Sequence, residues 1–181
     1  FASRVARLLA EHPSDGPFVV DPVLLATSGD LLFEDDALEA VRGELLPLAT
    51  VITPNAAEAS VLLGGQPVES LEDARQAARA LGTLGCGAVL VKGGHLAGGE
   101  HAVDVLWDGT QMVELALPWV ETRSTHGTGC TLAASIAANL ALGLGLRAAV
   151  ESAKAYLHGA LERASGLGGG HGPVNHHWRL V

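Results

Sequence analysis

The sequence predicts an α/β domain whose mostly parallel sheet is covered by helices on both faces. Three observations carry that expectation. Val19 to Asp21, Val51 to Thr53 and Val89 to Lys92 are apolar runs without alternation, as strands buried on both faces are. Helical stretches separate them, the pattern of parallel strands joined by crossovers. Each run also delivers polar or charged residues at its C-terminal end, where ligands bind in such sheets. With 181 residues, 48% of them hydrophobic and 17% charged, residues 1–181 are expected to form one domain around one core.

The elements follow in order. Residues 2–11 read as a helix, with Val5, Leu8 and Leu9 at helical spacing. The turn cluster Pro13 to Pro17 leads into Phe18-Val19-Val20-Asp21-Pro22, a strand whose last acid Pro22 holds out of helix. Leu24 to Leu32 is a loop, and Glu34-Asp35-Asp36 opens a helix to about Leu46, acidic in its first turn as the helix dipole prefers. Thr50 to Thr53 is the second strand; Pro54-Asn55 ends it and Ala56 to Leu63 is helical. Ser70-Leu71-Glu72-Asp73 resembles a capping box and starts a helix to about Leu84. Ala88 to Val91 is the third strand and delivers Lys92-Gly93-Gly94-His95. His101 to Trp107 and Gln111 to Leu117 flank Asp108-Gly109-Thr110 as an antiparallel hairpin at about 101–117, which usually edges a larger sheet. A helix to about Leu142 and a last one from Arg147 to about Arg163 precede a Gly- and His-rich tail. No internal repeat is found.

Charge narrows the partners. A net charge of -9, with lysine only at positions 92 and 154, argues against nucleic acid and anionic membrane surfaces, which need clustered cations. The uncharged interval Ser124 to Leu146 is broken by glycines at both ends and dotted with Thr128, Thr131, Ser135 and Asn139, so it predicts a buried helix, not a membrane span. Two distant cysteines, Cys86 and Cys130, fit neither a disulfide framework nor structural zinc and point to a reducing compartment.

Chemistry converges on one rim. Asp21, Asn55, Glu58, Lys92 and the turn Gly127-Thr128-Gly129-Cys130 all fall at predicted strand ends or helix starts on the same side of the sheet. The turn opens an apolar helix, so its free N–H groups and the helix dipole favour a phosphate there, beside the Cys130 thiol. Alone it reads equally well as a tight turn packing a small cysteine. Two acids, a lysine and an anion turn together are what phosphoryl transfer needs: carboxylates for Mg²⁺, a cation for the transferring oxygens, and backbone donors for developing charge. Neither G-x-G-x-x-G nor G-K-[ST] occurs, so the standard nucleotide fingerprints are absent.

Ser124-Thr125-His126-Gly127-Thr128-Gly129-Cys130 resembles the D-T-x-G-A-G-D motif of ribokinase-like sugar and vitamin kinases, with Cys in the last place. Val19 to Val23, Ala26-Thr27-Ser28-Gly29, Thr53-Pro54-Asn55-Ala56-Ala57-Glu58, Val91 to His95 and Gly170 to His176 extend the resemblance to the hydroxymethylpyrimidine and hydroxymethylpyrimidine phosphate kinases of thiamin biosynthesis. It implies a ribokinase-like three-layer sandwich and ATP-dependent phosphorylation of hydroxymethylpyrimidine and its monophosphate, in a cytoplasmic homodimer. It further implies that Asp21 and Glu58 organise Mg²⁺; that Asn55, Lys92, Thr125, Gly127, Thr128 and Gly129 bind ATP; and that Cys130, Lys92, Gly127 and Gly129 are catalytic. Cys130 stands where sugar kinases place an Asp base, so it is either the base or a wall of the acceptor pocket. Family members carry roughly another third of a domain ahead of the helix at residues 2–11, with much of the pyrimidine pocket; the chain is expected to lack that N-terminal third.

Rival readings remain at this stage. A pyridoxal or pyridoxine kinase of the same superfamily uses the same phosphate rim, and a non-catalytic nucleotide-binding remnant would keep it without turnover. A cysteine hydrolase with Cys130 as nucleophile and His126 as base leaves Asp21, Glu58 and Lys92 without a task. His126 is read as a turn residue, Cys86 as a core residue, and His176-His177 as solvated.

Overall fold

The computed structural model describes residues 2–12, 15–25, 32, 35–94, 96, 99–166 and 170–180. Its centre is a five-stranded sheet in the order β1 (Val19–Val20), β2 (Val51–Ile52), β3 (Val89–Val91), β4 (His101–Trp107) and β5 (Met112–Pro118). β1, β2 and β3 pair in parallel, with Val19 opposite Val51 and Ile52 opposite Val89. β4 pairs antiparallel to both β3 and β5. The sheet is therefore mixed: the expected antiparallel hairpin joins the three expected parallel strands at β3, and its strands take part in two of the four pairings. A two-strand connection through Asp108-Gly109 can only return antiparallel, and the Asp108 carboxylate fastens it by accepting from the amides of Thr110 at 2.9 Å and Gln111 at 2.7 Å.

Alternate residues of the strands enter two separate cores. Val20, Ile52, Val89, Val91 and Val105 face α1 (Ala2–Glu11), α3 (Ala56–Leu62) and α4 (Leu71–Gly82). Val51, Leu90, Leu106 and Leu115 face Leu132 and Ile136 of α5 (Thr128–Ala141) and Val150 and Ala153 of α6 (Leu146–Glu162). Helices therefore cover both faces, and the absence of alternation in the first three strands has its cause in two apolar neighbours rather than one.

Local chemistry starts and stops the helices. Asn55 with Glu58 and Ser70 with Asp73 each form a capping box, satisfying the first amides of α3 and α4. The helix expected to run from Glu34 to Leu46 is shorter: α2 covers Asp35–Ala40, then Val41–Leu45 widens to a π-turn and Leu46–Leu48 tightens to a 3₁₀ turn. Pro47 has no N–H, and its ring would clash with the carbonyl four residues back, so the α-helical ladder cannot pass it. Ala26-Thr27-Ser28-Gly29, Glu34 and His95 lie outside the described residues.

The tail, expected only to be Gly- and His-rich, packs against α6. Asn175 N donates to Ala160 O at 3.0 Å, Trp178 Nε1 to Tyr156 O at 3.1 Å and Tyr156 OH to His176 O at 2.8 Å. The Trp178 ring carries the Arg163 guanidinium 4.8 Å from its centroid and lies so close to Gly159 that a Cβ there would be 2.5 Å from Cζ2. Gly159→Val is accordingly expected to release the tail: cleavage by a protease within 170–180 should accelerate and tryptophan emission should shift to the red. An unchanged digestion pattern would contradict this docking.

Candidate active site

The sheet's alternation decides which strand-end residues meet. Val19, Val51 and Leu90 point to the α5 side, so two residues further on Asp21, Thr53 and Lys92 return to that side at the C-terminal ends. Thr53 Oγ1 donates to Asp21 Oδ1 at 2.9 Å, and Lys92 Nζ donates to the same oxygen at 2.7 Å. Lys92 Nζ also stands 3.8 Å from Glu58 Oε2. Glu58, only 3% exposed, is held by the box that starts α3: Asn55 N donates to its Oε2 at 2.7 Å.

The start of α5 completes the pocket. Gly127 adopts φ 81°, the left-handed region that a side chain would oppose, and no side chain caps the helix. The first bond of the ladder runs from Thr131 N to Gly127 O at 2.9 Å, which leaves the amides of Gly129 and Cys130 ahead of it. Gly129 presses on the charged group: a Cβ at that position would lie 3.1 Å from Lys92 Nζ and 3.5 Å from Asp21 Oδ2. A pocket of about 390 Å³ is lined by Asp21, Val23, Leu25, Asn55, Ala57, Glu58, Lys92 and Gly127 to Cys130. Asp21, Asn55, Glu58, Lys92, Gly127, Thr128, Gly129 and Cys130, scattered over 110 positions of sequence, therefore share one wall system.

Of the expected site residues, Thr125 alone stands apart from that lining. Thr125 is exposed and its hydroxyl lies 3.3 Å from His171 Nδ1. His126 donates its amide to Gly172 O at 3.1 Å and is a turn residue, not a partner of the thiol. His176 and His177 are both exposed. Among the described residues no group of three or more His, Cys, Asp or Glu side chains assembles to hold a metal, and no helix is long and apolar enough to cross a membrane.

The donor set fits Mg²⁺ nonetheless. Two carboxylates face one ammonium, which leaves hard oxygen donors in excess of the cation that faces them. Mg²⁺ is commonly held by one or two carboxylates, with water and phosphate oxygens completing its shell, so two acids suffice where a protein cage would need more.

A family model described as phosphomethylpyrimidine kinase matches residues 1–175. The chain belongs to the phosphomethylpyrimidine kinase family. A hydroxymethylpyrimidine/phosphomethylpyrimidine kinase of Rhizobium meliloti is 54% identical over 164 residues, covering 89% of this chain and 61% of the relative. One from Streptomyces coelicolor is 49% identical over 176 residues, covering 97% and 64%. Among solved structures, an ADP complex of Bacillus subtilis pyridoxal kinase superposes with a TM-score of 0.90 at 34% identity, covering 99% of this chain and 67% of that one. The fold is ribokinase-like, as the resemblance implied. The chain spans a little under two thirds of the length of the two pyrimidine kinase relatives.

Sequence reading of this family member missed a buried pair beside the pocket. Asp104 and Lys154, each 7% exposed, are joined from Oδ2 to Nζ at 2.6 Å. An acid in the middle of an otherwise apolar strand was the available signal, since such a residue needs a buried cation or donors.

Glu58 has a measurable consequence. Burial pushes its carboxyl above the ordinary value and the Asp21 charge adds to that, while the Asn55 amide and Lys92 pull the other way. A carboxyl whose folded pKa is raised contributes stability below its unfolded value, near 4.5, and loses it as pH rises through the folded value. Glu58→Gln keeps an acceptor for Asn55 N and removes the buried charge. It is expected to raise Tm by a few degrees at neutral pH and not at about pH 4. A Tm gain equal at both pH values would contradict the assignment.

Proposed function

We propose that the chain carries the nucleotide and phosphoryl-transfer part of a kinase that uses ATP and Mg²⁺ to phosphorylate hydroxymethylpyrimidine and its monophosphate. The observation that carries this reading is the joint wall of Asp21, Glu58, Lys92 and the free amides at the start of α5 in a chain of this family. We read residues 1–181 as one domain, working in the cytoplasm as a homodimer.

Each part has a task in this reading. Lys92 and the amides of Gly129 and Cys130 hold the transferring phosphoryl oxygens and stabilise the charge that builds there. Asp21 and Glu58 would hold Mg²⁺, which when bound would neutralise phosphate charge. Asn55, Thr128 and Gly127 shape the phosphate end of the nucleotide site, and Thr125 borders it from outside the pocket. During transfer the acceptor oxygen bonds to phosphorus and the bond to the nucleotide oxygen breaks; where the acceptor is the hydroxymethyl group, its hydroxyl proton must also leave. Cys130 is exposed in the pocket wall and is assigned as the group that takes it.

The pyridoxal reading has its own support in the likeness to pyridoxal kinase structures. One experiment separates the possibilities: ATP-dependent phosphorylation of hydroxymethylpyrimidine, its monophosphate and pyridoxine by this chain, beside calorimetric binding of ADP with Mg²⁺. Faster transfer to the pyrimidines is expected, with turnover lowered at least about 100-fold in Cys130→Ala. Faster transfer to pyridoxine would overturn the acceptor assignment, binding without transfer would make the chain a nucleotide-binding remnant, and no ADP binding would overturn the reading altogether.

A further inference from the structure

The largely buried pair Asp104 and Lys154 lies outside the pocket lining, yet it bonds to the chain neighbour of a residue that lines the pocket. Asp104 lies in β4, on the same face as Leu106 and toward α6. Its Oδ2 accepts from Lys154 Nζ at 2.6 Å, and its Oδ1 accepts from the amide of Gly93 at 3.0 Å. Gly93 is the residue after Lys92. On the other side of Lys92 the chain is held by the strand itself, with Lys92 N donating to Pro54 O at 2.8 Å. Gly93 also packs so tightly that a Cβ there would collide with the carbonyl oxygen of Val103, so no side chain could sit there without moving β4.

We infer that Asp104 and Lys154 are positioning residues for Lys92: the carboxylate clamps the backbone that follows it and the α6 ammonium orients the carboxylate. A long lysine side chain aimed at a 2.7 Å contact with Asp21 needs a fixed root, because its own torsions are soft. The buried ion pair supplies that root at some cost, since its desolvation is large and an apolar pair of similar volume would often be no less stable. α6 thereby holds both walls of the pocket. Through Lys154 it reaches Lys92, and through Ala160 and Tyr156 it anchors the tail, whose Pro173 pairs with His126 beside the anion turn. The catalytic meaning of the clamp rests on the kinase reading of Lys92; the clamp itself does not.

The test exploits a feature of the composition. Lysine occurs only at positions 92 and 154, so any variant at Lys154 leaves Lys92 as the sole lysine. Acetylation of Lys92 by acetic anhydride, followed by peptide mass spectrometry, then reports how firmly its ammonium is held. Asp104→Leu/Lys154→Met removes both charges and the acceptor for Gly93. It is expected to label about 10-fold faster than the parent and to lose about 10- to 100-fold in turnover, with the acceptor KM little changed. Asp104→Asn/Lys154→Gln keeps an acceptor and is expected to stay within about twofold of the parent in both readouts. Equal labelling in all chains overturns the inference, as does labelling of the Asn/Gln chain as fast as the Leu/Met chain. Should the Leu/Met chain fail to fold, hydrogen exchange at Gly93 of the parent decides: protection supports the clamp and free exchange overturns it. Faster labelling in the Leu/Met chain, with no transfer by the parent to any acceptor, would support the clamp and sink the kinase reading instead.

Discussion

Lys92→Met is expected to lower turnover by about 10²- to 10³-fold, the scale of losing one preorganised donor to a developing negative charge. Methionine keeps the length and apolar stem of lysine, so the change falls on the charge. That charge stands 2.7 Å from Asp21 Oδ1 and 3.8 Å from Glu58 Oε2, where it balances the acids, and it lies close to Gly129 at the start of α5. Removing it leaves two carboxylates facing each other, which favours a proton or a metal between them. A second result therefore accompanies the first: added Mg²⁺ should raise the Tm of Lys92→Met more than that of the parent. Turnover within about threefold of the parent, or equal Mg²⁺ effects in the two chains, would remove Lys92 from the site.

Lys154→Met is expected to destabilise the fold by about 3–5 kcal/mol, because it strands the Asp104 carboxylate inside the protein with only the Gly93 amide for company. The penalty is that of an uncompensated buried charge, not the worth of the pair. Adding Asp104→Leu should therefore recover most of the loss, and a double-mutant cycle in urea measures it. A single variant within about 1 kcal/mol of the parent would mean that Asp104 takes up a proton or reaches water in its absence.

Much of this site is written locally. The capping box of Asn55 and Glu58 needs only four consecutive residues, and the left-handed turn at Gly127 needs only a glycine before an apolar helix. Strand ends were legible because three apolar runs each stop at a polar residue. Placing Asp21, Glu58, Lys92 and the α5 start on one rim followed from a general rule of parallel sheets. The rule did not extend to Thr125, three residues before α5, where the chain has already turned toward the tail and His171.

Other features depend on partners far away in the chain. Lys154 sits on a helix whose stripe reads as ordinary core, and Asp104 is 50 positions earlier; neither announces the other. The tail's composition suggested solvation, yet Trp178 finds Gly159, and a slot for an indole ring exists only because a helix residue lacks a Cβ. The π-turn after α2 likewise reflects a proline whose effect on the preceding turn depends on where the backbone must go next.

By itself the sequence determined the helices and their starts, the buried strands, the edge hairpin and the identity of the rim residues, because each rests on periodicity, capping or turn chemistry within a few neighbours. Only the tertiary structure decided that Lys92 bonds to Asp21 rather than standing free, that Gly129 closes on both, and that a buried ion pair and a docked tail hold the two walls in place. Those contacts are set by the distance between elements, and that distance emerges only when both faces of the sheet are packed.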